Sequence, residues 1–156
     1  RQTIARFLVE QKGYLKTDME SRLRLPVLVD GDSGQVRVDF VVRINGKAVM
    51  VVVYGPGAIV SRQRPTLAVA RLMEPYVIPY AVISNGRDGH LMDSRTGKVI
   101  GKSLDAVYSR SELLEKFDGL SFDGLSEDRI DKEKRILFVM EVLSERECDE
   151  FSCSWP

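Results

Sequence analysis

An α/β fold is predicted, with a mixed sheet in the order helix, strand, strand, strand, helix, strand, followed by C-terminal helices. Three stretches predict it. "VMVVVYGPG", residues 49–57, is an apolar run that stops at Gly55-Pro56-Gly57, as a strand buried on both faces does. "VRVDFVVRI", residues 36–44, precedes it and is joined to it by Asn45-Gly46-Lys47, a tight-hairpin signal. "SRQRPTLAVARLM", residues 61–73, is Ala- and Leu-rich and leads into a second apolar strand, "YVIPYAVIS". A helix between two such strands is a crossover, so those strands run parallel through a right-handed connection.

The elements follow in order. Ile4, Phe7 and Leu8 recur at helical spacing, and Gly13 is placed to end that first helix. "ESRLRLPVLV", residues 20–29, reads as the first strand, and "DGDSGQ", residues 30–35, as a turn. Along residues 36–44, Val36, Val38, Phe40, Val42 and Ile44 share one face at period two, with Arg37, Asp39, Val41 and Arg43 on the other. The crossover helix offers Leu67, Ala70 and Leu72 as an inner face, with Pro65 in its first turn. After the fourth strand, "HLMD" and "VIG" are short strands set off by the turns "NGRDG" and "RTGK". Two helices close the chain. The first opens on a capping box, Ser109 to Glu112, and the second carries Ile130, Leu137 and Met140 on one side. Between them "FDGLS" occurs twice, at 117–121 and 122–126, a duplicated linker rather than a solenoid repeat. Residues 1–102 form the expected core, and residues 103–156 an acidic helical extension and tail.

At 156 residues the chain suits one core. Its longest apolar run, residues 48–53, is far too short to span a bilayer. Cys148 and Cys153 make no disulfide framework and are too few for a closed zinc site. A cytoplasmic setting without a membrane partner is therefore expected. His90 is the one histidine and starts a short strand, a poor place for catalysis. Phe151 and Trp155 mark the tail as an interaction segment, a truncated continuation or a frayed end.

Formal net charge is zero but unevenly spread. Residues 1–102 carry 16 Lys and Arg against 9 Asp and Glu, whereas residues 103–156 carry 7 against 14. No acid lies between Phe40 and Met73, where Arg43, Lys47, Arg62, Arg64 and Arg71 stand. A local cationic excess attracts polyanions. It also lets the two halves of the chain attract one another.

The stretches "FLVEQKGY", "RVDFVVRINGKAVMVVVYGPG" and "RPTLAVARLMEPYVIPYAVISNGRDGHLMD" together resemble the PD-(D/E)XK nuclease superfamily. More narrowly, they resemble the N-terminal nuclease-type domain of type I restriction enzyme R subunits, over roughly residues 4–101. The resemblance implies a three-layer, restriction-endonuclease-like core. It also implies an Asp at the end of the second strand and a Glu-x-Lys on the third, which together with Mg²⁺ cut DNA, often with a Glu from the first helix. Carried over, the Asp is Asp39 and the helix Glu is Glu10, with Glu20 a looser acidic candidate. The Glu-x-Lys falls on Val52 and Tyr54. Val has no lone pair for a metal, and Tyr is a poor proton acceptor at neutral pH. Residues 48–54 contain no Asp, Glu or Lys in any register, and Lys47 belongs to the turn.

Three functions follow as expectations. The first is a degenerate, non-cleaving domain with no metal or cofactor, binding nucleic acid or a phosphate-bearing ligand through Arg43, Arg62, Arg64 and Arg71. The second is an interaction module whose C-terminal helices and tail contact a protein partner or a second copy. The third is a Mg²⁺-dependent nuclease with a migrated site using Asp39, Glu10 and an amine from elsewhere in the chain. Asp39 itself is expected to be exposed or paired, since a buried lone carboxylate is costly.

Overall fold

In the computed structural model, which describes residues 2–143, six strands form one sheet in the order of the chain. Helix α1 (Gln2–Glu10) buries Ile4 and Leu8. The chain leaves it through Gly13 at φ +76°, a conformation open to glycine, and Tyr14 N–H donates to the Leu8 carbonyl at 3.1 Å. Strands β1 (Met19–Val29) and β2 (Asp32–Ile44) are antiparallel. Asp30 and Gly31 alone join them, at φ +50° and +80°, the type I′ geometry that matches strand twist. The expected turn over residues 30–35 is thus shorter, and residues 32–35 extend β2. The same geometry recurs at Asn45-Gly46 before β3 (Lys47–Tyr54). Pro26 lies in β1 at the sheet edge, where a missing N–H breaks no ladder.

Helix α2 (Gln63–Leu72) is the expected crossover, and β3 runs parallel to β4 (Tyr80–Ser84). Strands β5 (Gly89–Asp93) and β6 (Val99–Gly101) add on antiparallel. The inner face of α2 is wider than Leu67, Ala70 and Leu72, for residues 65–71 are all buried and Leu72 is half-buried. Two apolar clusters flank the sheet. One joins it to α2 and α4 (Glu127–Leu137). The other joins it to α1 and α3 (Arg110–Lys116). This is the restriction-endonuclease-like architecture expected, with helices following the core.

The period-two stripe of β2 does not stay on one side. Val36 and Val38 join the α2–α4 cluster, while Phe40, Val42 and Ile44 join the α1–α3 cluster. The change falls at Asp39. Across the ladder, between Ser21 (paired with Phe40) and Leu23 (paired with Val38), Arg22 sits at φ +55°. The left-handed residue interrupts the pleat, and β1 switches likewise, from Met19 in one cluster to Leu23 in the other. A bulge at Val42/Arg43 shifts the β2–β3 register as well.

Helix α3 carries the expected capping box of Ser109 and Glu112. Helix α4 starts at Ser126, whose hydroxyl accepts from Arg129 N–H, and passes into a π-helical stretch, Phe138–Leu143. The wider turn rotates its apolar side. Leu137, Phe138 and Val142 are buried, Ile130 is half-buried and Met140 is exposed. Phe117 and Phe122, one from each "FDGLS", pack together on the α1–α3 cluster with ring centroids 5.6 Å apart. Among the described residues no helix is long and apolar enough to cross a membrane. Cys148, Phe151, Cys153 and Trp155 lie outside the described residues.

Candidate nucleic-acid interface

Strands β2 and β3 are paired from their turn as far as Phe40 and Val52, and no further. Asp39 stands just past that point. It is 3% exposed, and its Oδ2 accepts from Tyr54 N–H at 2.7 Å. A hydrogen bond from backbone N–H to a carboxylate offsets part of the cost of burying the charge. Asp39 is therefore paired, and the Tyr54 backbone is one of its partners.

A cleft of about 600 Å³ opens over it, lined by Arg24, Arg37, Asp39, Val53, Tyr54, Ser61, Arg62 and Glu141, among others. Val52 does not reach this cleft. It is fully buried in the α1–α3 cluster, whereas Val53 lines the cleft and packs on the α2–α4 cluster. The β3 position on the Asp39 side is thus Val53, with Gly55 two residues on, just past the strand, in place of the expected Val52 and Tyr54; Tyr54 also lines the cleft but packs on the α1–α3 cluster. The bulge at Val42/Arg43, between the turn and Asp39, displaces the β2–β3 register by one. Neither Val53 nor Gly55 supplies a ligand or a base, so Glu-x-Lys is missing in this register too.

A cation returns to the place by another route. A Cβ built on Gly55 would stand 2.5 Å from Cδ and 2.6 Å from Nε of Arg62. The Arg62 side chain, arriving from the start of α2, fills the space a residue-55 side chain would take. Gly55→Ala is therefore expected to displace the Arg62 guanidinium while leaving the backbone undisturbed. Its anion affinity, read by titration, should match that of Arg62→Ala, with a melting temperature within about 5 °C of the parent.

Arg24 and Arg37 are direct register partners across β1 and β2. Like charges so placed repel. Among the described residues neither they nor Arg62 form an ion pair. Neither arginine is among the site residues expected from the sequence. The signal was present, for each lies six positions from the Asp30-Gly31 turn and a two-residue turn pairs equidistant residues.

The other expected site residues are placed elsewhere. Arg43 is held by Glu20 and, at 2.6 Å, by Glu74. Arg64 makes two parallel hydrogen bonds to Glu133, both 2.8 Å. Arg71 donates to Glu133 at 2.8 Å and to the Ser94 carbonyl at 2.7 Å. Burial pushes the Glu133 carboxyl up, but hydrogen bonds and charge from Arg64 and Arg71 outweigh it and hold the group below its ordinary value. Of the four arginines, Arg62 alone lines the Asp39 cleft. Glu10 lines a separate opening with Arg6, Arg87 and Asp88 and does not meet Asp39 there. The Lys47 ammonium lies over the Tyr76 and Phe122 rings, 5.2 and 5.5 Å from their centroids. Gln63 Nε2 and His90 Nδ1 are 2.7 Å apart, a hydrogen bond between α2 and β5.

The donors do not fit the Mg²⁺ site that the resemblance implies. The third-strand position beside Asp39 is Val53, and one Asp39 oxygen already accepts from Tyr54. Among the described residues no three His, Cys, Asp or Glu side chains are grouped to hold a metal ion.

Residues 1–107 match the family described as type I restriction enzyme R protein N terminus (HSDR_N). No curated protein and no solved structure matches the chain.

Proposed function

Because this chain belongs to the family of type I restriction enzyme R protein N-termini, we propose that it is a restriction-endonuclease-like domain that binds DNA through the Asp39 cleft without cutting it. One observation carries the reading. Arg24, Arg37 and Arg62 converge on a cleft in which the like-charged Arg24 and Arg37 face each other. A phosphate between them relieves their repulsion and takes charge-assisted hydrogen bonds. The chemistry of cleavage lacks its parts, since Val53 and Gly55 stand where a carboxylate and an amine are needed.

Fluorescence anisotropy of labelled duplex DNA over a salt series tests this. Affinity should fall as salt rises, and Arg24→Ala/Arg37→Ala/Arg62→Ala should flatten the log–log slope by about 2 to 3, at about 0.9 per phosphate contact. An affinity indifferent to both salt and the triple substitution would reject DNA binding at this cleft. Cleavage with Mg²⁺ that Asp39→Ala abolishes would reject the non-cleaving part.

A further inference from the structure

A second basic surface lies between α2 and α4. It is an opening of about 650 Å³ lined by Arg64, Arg71, Arg129, Lys132, Glu133 and Arg135, among others. Its charges are unequally satisfied. Glu133 serves Arg64 and Arg71, and Arg135 is held by Asp30 and Asp131. Arg129 and Lys132 are exposed and form no ion pair among the described residues. Helix α4 belongs to the acidic half of the chain, yet here it presents Arg129, Lys132 and Arg135 at intervals of three residues. Such an interval sets successive cations about 4.5 Å apart along the axis. A row of this kind meets a repeating anion better than a single one.

The two basic surfaces meet at the start of α2. Arg62 lines the Asp39 cleft, and Arg64, two residues later, lines this one. We propose that the Arg129–Lys132 row is a second contact for the phosphate backbone, so that the ligand is a polynucleotide spanning both surfaces rather than a mononucleotide or a strand end. The proposal rests on DNA binding at the Asp39 cleft. Arg64 and Arg71 hold the α4 face in place through Glu133, while Arg129 and Lys132 supply the charge that a strand leaving the cleft would neutralise.

The test compares two probes, a strand of about 4 nucleotides and a duplex of about 20 base pairs, longer than the domain is wide. With the duplex, Arg129→Ala/Lys132→Ala should weaken binding on the order of tenfold at moderate salt and flatten the salt slope by about 2. The short strand should bind the variant as it binds the parent. Both side chains are exposed, so an unchanged melting temperature confirms that folding is intact. Arg62→Ala should weaken both probes. A variant that holds the duplex with parental affinity and slope overturns the second contact, while loss with Arg62→Ala would still support the cleft. Equal losses for short strand and duplex overturn the division of labour. Failure of the parent to bind either probe overturns both readings.

Discussion

Glu133→Ala is expected to lower the free energy of unfolding by about 3–5 kcal/mol, the scale of removing one partner from a buried ion pair. Total stability for a domain is roughly 5–15 kcal/mol, so the loss is a large fraction of it. The expectation rests on who is left behind. Arg71 is 9% exposed, and without Glu133 its guanidinium keeps, among the described residues, the carbonyls of Ser94 and Arg95. Arg64 is more exposed and can turn to water, so its part is screened. The interaction should also carry a pH signature. The Glu133 carboxyl is held below its ordinary value, so its stabilisation is fully present above the ordinary carboxylate range and is lost as pH falls through the folded-state value. Urea midpoints measured from neutral to acid pH should show that component in the parent and not in the variant. Equal midpoints at neutral pH would mean that the α2–α4 contact rests on apolar packing alone.

The second large effect separates two neighbouring positions. Val52→Glu should unfold the domain or cost several kcal/mol, because it sends an unpaired carboxylate into a fully buried apolar cluster. Val53→Glu should leave a folded protein, because its side chain enters a half-buried, water-accessible cleft already lined by Arg24, Arg37 and Arg62. Circular dichroism and thermal melts of the two variants decide the matter. The opposite ranking would restore Val52 as the residue beside Asp39.

That contrast shows where sequence patterning reached and where it stopped. Strand β3, the crossover through α2 and the Asn45-Gly46 hairpin were legible because burial, helical composition and turn chemistry are each written locally. The absence of Asp, Glu and Lys from residues 48–54 was legible too, being a matter of residue type. The side on which each β3 residue points was not. Period-two counting assumes an unbroken ladder, and a bulge at Val42/Arg43 shifts it by one. The arginines were visible as a charge excess, but their division between an open cleft and the Glu133 contact depends on α4, more than sixty residues away. Arg24 and Arg37 carried a signal in their spacing about Asp30-Gly31, which becomes informative only once that turn is known to be two residues long.

The strand order has a kinetic meaning. Every ladder joins strands consecutive in the chain, and all but the β3–β4 pair are closed by short turns. Each step therefore closes a small loop at little entropic cost, and low sequence separation favours fast folding for a sheet of this size. During synthesis the N-terminal hairpins can form before α4 has left the ribosome. Docking of α4 is the long-range event, with Glu133 meeting Arg64 and Arg71 across 69 and 62 positions of chain. On this order α4 docks on a sheet already formed, and both basic surfaces take their final shape at that docking.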